Sequence, residues 1–206
     1  MNLVNKLKHY YTKETIDLAK STTIKLGTML LVSHILEVYI HRNGNGILNK
    51  EWIKVSLFTI IGFIVYDFFI YPFFYIELNN EDFELAINRA INIITFLSVE
   101  KLLSGLFNHK KLNINKKDII NMIYIIIGFT TYDLVTKHFI PKISDKYQIA
   151  IDTLVQFITM FTVTRLLLRK PFDEEFFRST IYVLIGFLTY DLYIDNLLNL
   201  EDVMTP

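Results

Sequence analysis

The sequence predicts an all-α membrane protein of six transmembrane helices, built from three tandem two-helix hairpin repeats in a pseudo-threefold bundle. Three observations predict it. The 206 residues are 52% hydrophobic and 15% aromatic. The charged residues gather in short segments between apolar runs of about twenty residues, the length that crosses a hydrocarbon layer of about 30 Å. Finally, the phrase IGFIVYD at 61–67 returns as IGFTTYD at 127–133 and IGFLTYD at 185–191. The runs lack the strict alternation of a barrel strand, which leaves helices as the spanning form.

The opening stretch MNLVNKLKHYYTKETIDLAK carries too much charge for a secretory signal peptide. Residues 3–20 place Leu3, Leu7, Tyr11 and Leu18 near one helical face with lysines around most of the rest, so 1–21 reads as an amphipathic segment lying in the interface. There is no second-position glycine for myristoylation and no prenylation box in EDVMTP. Insertion is therefore expected to rest on the internal spans.

Those spans are 22–41 and 53–76 in a first hairpin repeat over 22–76, and 86–107 and 119–140 in a second over 86–140. Spans 147–168 and 178–198 form a third repeat over 147–198, and 199–206 is an acidic tail. The first and fifth spans are the weakest, because Lys25, Glu37, Asp152 and Arg165 interrupt them. Aligning the copies on Gly62, Gly128 and Gly186 gives one unit each time: a helix, a polar turn, then a helix ending in GFxxYD. The turns read NGNGILNKEW, NHKKLNINKKD and RKPFDEEFF. Such repeats are parallel, related by an axis along the membrane normal.

Six spans place both ends of the repeat array on one side of the membrane. Turns 42–52, 108–118 and 169–178 are rich in lysine and arginine, whereas the opposite side carries Glu77, Glu81, Asp82 and Glu84. The positive-inside rule then puts the turns in the cytoplasm, although Lys6, Lys8, Lys13 and Lys20 pull the other way.

Within the phrase, a glycine at one depth in the second helix of each hairpin suits close helix–helix approach, since little hydrophobic force drives helices together in lipid. Gly62, Gly128 and Gly186 are accordingly helix-packing residues. Five residues further on, Asp67, Asp133 and Asp191 follow Tyr66, Tyr132 and Tyr190. A carboxylate at the centre of a spanning helix costs roughly 2.5–3.5 kcal/mol on insertion scales, which marks these positions as functional candidates. Two readings compete. The Tyr–Asp pairs form a polar clamp between hairpins, satisfied by Thr130, Thr131 or Thr189 nearby, or by Lys25 and Arg89 at the starts of the odd helices. Alternatively the three carboxylates form a ring that binds a cation or relays protons.

Glu37, Glu100 and Arg165 occupy similar places near the ends of the odd helices, and read as a charge-compensated interhelix cluster that fixes which hairpin lies beside which. His34, one turn before Glu37, reads as a hydrogen-bonded packing residue, with a proton carrier as the alternative.

Enzyme chemistry is not expected. No G-x-S-x-G elbow, HExxH pair, P-loop or dinucleotide fingerprint is present, and the histidines show no metal-ligand spacing. Cysteine is absent, which removes disulfide and thiolate chemistry. No cofactor and no metal are implied. Zero net charge and the lack of a binding motif argue against nucleic acid. Three two-helix repeats also describe mitochondrial carriers, but their P-x-[DE]-x-x-[KR] signature is missing here.

The duplicated IGFxxYD hairpins, together with thirty isoleucines, many Asn, Lys, Phe and Tyr, and no cysteine, resemble small multi-pass membrane proteins of large DNA viruses. The resemblance transfers no functional residue. It implies a structural protein of a virion internal membrane, one that organises the bilayer and contacts a capsid through its basic turns or acidic side. The expected function is therefore that of a structural, scaffolding integral membrane protein. Its partners would be the lipid bilayer, a capsid or other membrane proteins, and further copies of itself. The alternative is a small ion or proton channel or transporter using the three aspartates.

Overall fold

The computed structural model describes residues 13–41, 46, 49–108, 115–195 and 197–198. The first part of the expected amphipathic segment and the acidic tail lie outside the described residues, as do Arg42, Lys110 and Lys111 of the turns. Among the described residues there are helices and no strand. The long helices are α1 (Lys13–His41), α2 (Lys50–Val65), α3 (Glu81–Phe107), α4 (Lys116–Leu134), α5 (Asp145–Leu167) and α6 (Glu174–Thr189). Residues 13–21 are the first turns of α1, continuous with the span that follows.

Five stretches are long and apolar enough to cross a membrane: Ile16–Ile40, Lys50–Phe74, Glu81–Phe107, Lys116–Phe139 and Tyr147–Leu167. These fit a multi-pass integral membrane protein. The two spans weakened by internal charge are among them. The stretch that falls short is the sixth, which starts on two acids and includes Arg178. Exposure supports the same environment. Leu31, Ile94, Phe139 and Leu166 are exposed, while His34, Ser56, Asn88, Thr153 and the three motif aspartates are buried. Apolar outside with polar inside reverses the usual arrangement in water and suits a lipid solvent.

Two compact units divide the chain, one from 1–24 with 50–122 and the other from 25–49 with 123–206. In the first, α2 lies against α3, with Phe63 stacked on Phe96 at 4.7 Å and Phe58 against Phe107 at 5.1 Å between ring centroids. The link between them is built by its own polar residues. Asn80 caps α3 by accepting from the Asp82 and Phe83 amides at 3.0 and 3.1 Å, and the acids of the first turn favour the positive helix end. Glu84 accepts from the Leu78 amide at 3.0 Å and from the Tyr75 hydroxyl, which pushes that phenol up to about 12. The α4 start is a reciprocal box: the Asp118 amide donates to Asn115 Oδ1 at 3.0 Å and the Asn115 amide donates to Asp118 Oδ2 at 3.3 Å. Lys101 holds Asp118 from α3 at 3.0 Å.

In the second unit Phe157 of α5 stacks on Phe187 of α6 at 4.2 Å and meets Phe129 of α4 edge-on at 5.7 Å. Asp173 caps α6 by accepting from the Phe176 amide at 2.9 Å. The α5 C-terminus closes with the Lys170 amide donating to the Arg165 carbonyl and the Arg169 amide donating to Leu166. Arg169 there takes a left-handed conformation, φ 51°, at the position where glycine usually ends a helix.

Candidate functional site

The motif glycines sit where helix backbones touch. A Cβ built on Gly62 would lie 2.8 Å from the Phe96 Cα on α3, one on Gly128 2.8 Å from the Met160 carbonyl oxygen on α5, and one on Gly186 2.6 Å from the Met29 carbonyl oxygen on α1. Real Cβ contacts are not that short, and backbone atoms cannot swing aside as a side-chain tip can. Each glycine is therefore required by close approach rather than by its own dihedral angles, as expected of small residues at helix interfaces in lipid. Gly27 is different: a Cβ there meets nothing within 4 Å.

The Tyr–Asp pairs follow at once. Tyr66, Tyr132 and Tyr190 are buried, and Asp67, Asp133 and Asp191 are 4%, 0% and 8% exposed. In the first and third copies the helix changes at this point. Tyr66–Ile70 and Tyr190–Ile194 are single π-helical turns, each starting on the motif tyrosine. Such turns widen the helix locally and concentrate at functional sites. After the first, the chain continues as a short helix, Tyr71–Phe74. In the middle copy α4 stays regular to Leu134, and a 3-10 turn follows at Thr136–Phe139.

The partners differ from copy to copy. Asp191 Oδ1 accepts from Lys25 Nζ of α1 at 2.6 Å, with the Asp191 side chain 1% exposed and that of Lys25 28%. The same ammonium lies 5.8 Å from the Phe187 ring centroid and 5.6 Å from that of Tyr190, a cation–π setting that partly replaces lost water. Asp67 instead faces the Thr22 hydroxyl of α1. The tyrosines also differ: the Tyr66 hydroxyl donates to the Asn88 carbonyl of α3 at 3.1 Å, and that of Tyr190 donates to Asp195 Oδ1 at 3.4 Å.

Two of the threonines beside the motif, Thr131 and Thr189, are engaged within their own helices. The Thr131 and Thr189 hydroxyls each donate at 2.8 Å to the carbonyl four residues earlier in their own helix, a local bond available without any neighbour. Of the charge set, Arg165 is engaged at its own turn. Its Nη2 donates to Asp173 Oδ2 at 2.8 Å, its Nε to the Pro171 carbonyl at 2.7 Å, and its guanidinium lies 4.9 Å from the Phe176 ring centroid. Glu37 is exposed on α1, Glu100 is half-buried on α3, and His34 is buried.

Two groups were not singled out from sequence. Asn88 is buried, and its amide both accepts from the Ile76 amide at 3.0 Å and donates to the Ile76 carbonyl at 2.9 Å, joining α3 to the chain leaving the first motif. Asn92 and Gln156 stand four residues before Phe96 and Met160, as Lys25 stands four before Met29. The signal for them lies in the register of the partner helix, which the motif alone does not display. No family model, curated protein or solved structure matches the chain.

Proposed function

We propose that the chain is a structural, scaffolding integral membrane protein without enzymatic activity, whose IGFxxYD copies lock three two-helix repeats into a pseudo-threefold arrangement. The order of the glycine contacts carries this reading. At a motif glycine α2 meets α3, α4 meets α5, and α6 meets α1. Each motif helix thus meets the first helix of the next hairpin, and the last meets the first, which is the order a threefold repeat requires. The Lys25–Asp191 pair adds a charged lock to the contact that joins the third hairpin to the first. The exposed apolar faces make the lipid bilayer the first partner. Short polar turns suit contact with a protein shell or further copies of the chain. The isoleucine-rich composition and duplicated hairpins support a virion internal membrane as the setting.

The second reading, a small ion or proton channel, draws on one observation: three buried carboxylates stand at matching points of three helices. Flux separates the two. Purified wild-type protein in liposomes is compared with the triple variant Asp67→Asn, Asp133→Asn, Asp191→Asn, both shown folded and equally inserted. The scaffold reading expects no ion or proton flux from either, and a triple variant that loses its structure at lower temperature in detergent. Flux that is present in the wild type and absent in the variant would overturn it.

A further inference from the structure

We propose that the end of the first unit where α2 and α4 begin and α3 stops is a binding surface for the headgroups of anionic phospholipids, contacted by Lys50, Lys116 and Lys117. The surface rests on the scaffold reading only in taking the bilayer as partner, and it names the lipid class that partner presents. Side-chain contacts bring the three helix ends together. Lys54 Nζ of α2 donates to Asn108 Oδ1 at the end of α3, and Phe58 of α2 lies against Phe107. From α3, Lys101 Nζ donates to Asp118 Oδ1 at the start of α4 at 3.0 Å. Lys50, Lys54, Lys101, Lys116 and Lys117 therefore gather at one end of the unit, where the acids among the described residues are Glu51, Asp118 and half-buried Glu100.

These lysines divide by what they hold. Lys54 and Lys101 tie helix ends together, and Glu51 lies 3.9 Å from the Lys54 ammonium. Lys50, Lys116 and Lys117 are exposed and make no hydrogen bond or ion pair among the described residues; Lys117 acts through space on Asp118, which Lys101 already holds. Their depth decides what they meet. Lys50 and Lys116 are the first residues of two stretches that can cross a membrane, and Lys117 follows at once. Further into those spans and along α3 the surface turns apolar, with Val55, Leu57, Leu102 and Leu106 exposed. Trp52, the single tryptophan of the chain, stands half-buried between Lys50 and Lys54, at the level where tryptophan marks the boundary between membrane and water. An exposed ammonium at that level lies among lipid phosphates and attracts anionic headgroups. The other end of α2 and α3 carries Glu77, Glu81, Asp82 and Glu84 instead, so the attraction is confined to one leaflet.

Trp52 also supplies the probe. The full chain is reconstituted in phosphatidylcholine bilayers that contain the same fraction of either dibrominated phosphatidylglycerol or dibrominated phosphatidylcholine. Quenching of the tryptophan fluorescence then compares the two lipids at this surface. The wild type should prefer the anionic lipid about fivefold, the preference that one surface lysine contributes, and added salt should reduce it. Lys50→Gln, Lys116→Gln and Lys117→Gln together should make the two lipids equal, and Lys142→Gln, exposed in the second unit, should change nothing. Equal quenching in the wild type overturns the proposal and leaves these lysines to a protein partner. So does a preference that persists in the triple variant or is indifferent to salt. Quenching by neither lipid overturns it together with the bilayer as partner, whereas the choice between scaffold and channel is decided by flux and not by this readout.

Discussion

A methyl group added at Gly62, Gly128 or Gly186 would fall inside the van der Waals shell of a neighbouring helix backbone, so the helices must separate to admit it. Overpacking of this kind costs about 1–3 kcal/mol per site. Each Gly→Ala variant should therefore melt earlier in detergent, whereas Gly27→Ala, with open space around it, should be neutral or stabilising by up to about 1 kcal/mol through helix propensity. Equal losses at all four positions would mean that the motif glycines act through flexibility and not through contact. The Lys25–Asp191 pair makes a second prediction at this scale. Asp191→Asn leaves the lysine without its counter-ion in a mostly apolar site and should cost about 1–3 kcal/mol, Lys25 being in part solvated. Replacing both, Lys25→Met with Asp191→Leu, should recover most of that loss, because a well-filled apolar contact can match a buried ion pair. A double variant as unstable as the single one would show that the pair itself, and not the orphaned charge, holds α6 to α1.

Helix ends carry local signals that hydropathy passes over: the spans read from it start at 86, 119 and 178, whereas the helices start at Glu81, Lys116 and Glu174. Asn80 with the acids after it, Asn115 with Asp118, and Asp173 before its run all cap the helices that follow. Arg165, read from its position as one of an interhelix cluster, binds the cap residue Asp173 instead. The turn is short enough to bring that carboxylate within reach of the previous helix, which depth along a span does not reveal. Asp173→Ala should therefore cost about 1–2 kcal/mol as a lost cap, and more than the same change at a capping residue without an ion pair. Arg169→Gly should act the other way, relieving about 1 kcal/mol of left-handed strain at the α5 end; calorimetry of the two variants checks both signs. The π-helical turns at Tyr66 and Tyr190 were not legible. Pro72 lacks the N–H that a regular helix would give to the Phe68 carbonyl, which suits a changed hydrogen-bond pattern in the first copy. The third copy has the same turn without proline, and the middle copy has the Tyr–Asp pair without the turn, so neither feature alone sets it.

At the scale of the whole molecule, the number of helices was readable from hydropathy, but their neighbours were not. Periodicity tells which residues cannot face water; in a chain whose outer faces are also apolar, it does not tell which face meets which helix. The glycines narrowed the choice, because close approach needs a small residue at the point of contact, yet the identity of the partner came from Phe96, Met160 and Met29, none of which carries a motif. Lys25, which weakened the first span in the sequence, became the clearest partner of a motif carboxylate. The resulting order predicts how the molecule comes apart. A protease site at exposed Lys142 divides the chain into a part with α1 to α4 and a part with α5 and α6. In a linear row of hairpins these parts would be joined across α4 and α5 alone, so Gly128→Leu should release the C-terminal fragment after cleavage. With α6 also held to α1 at Gly186, that variant should keep its fragments together through size-exclusion chromatography in mild detergent. Gly128→Leu combined with Gly186→Leu should let them separate. Release by Gly128→Leu alone would show that the last hairpin does not close on the first within one chain. The polar lock at Lys25 and Asp191 would then have to join the molecule to a second copy.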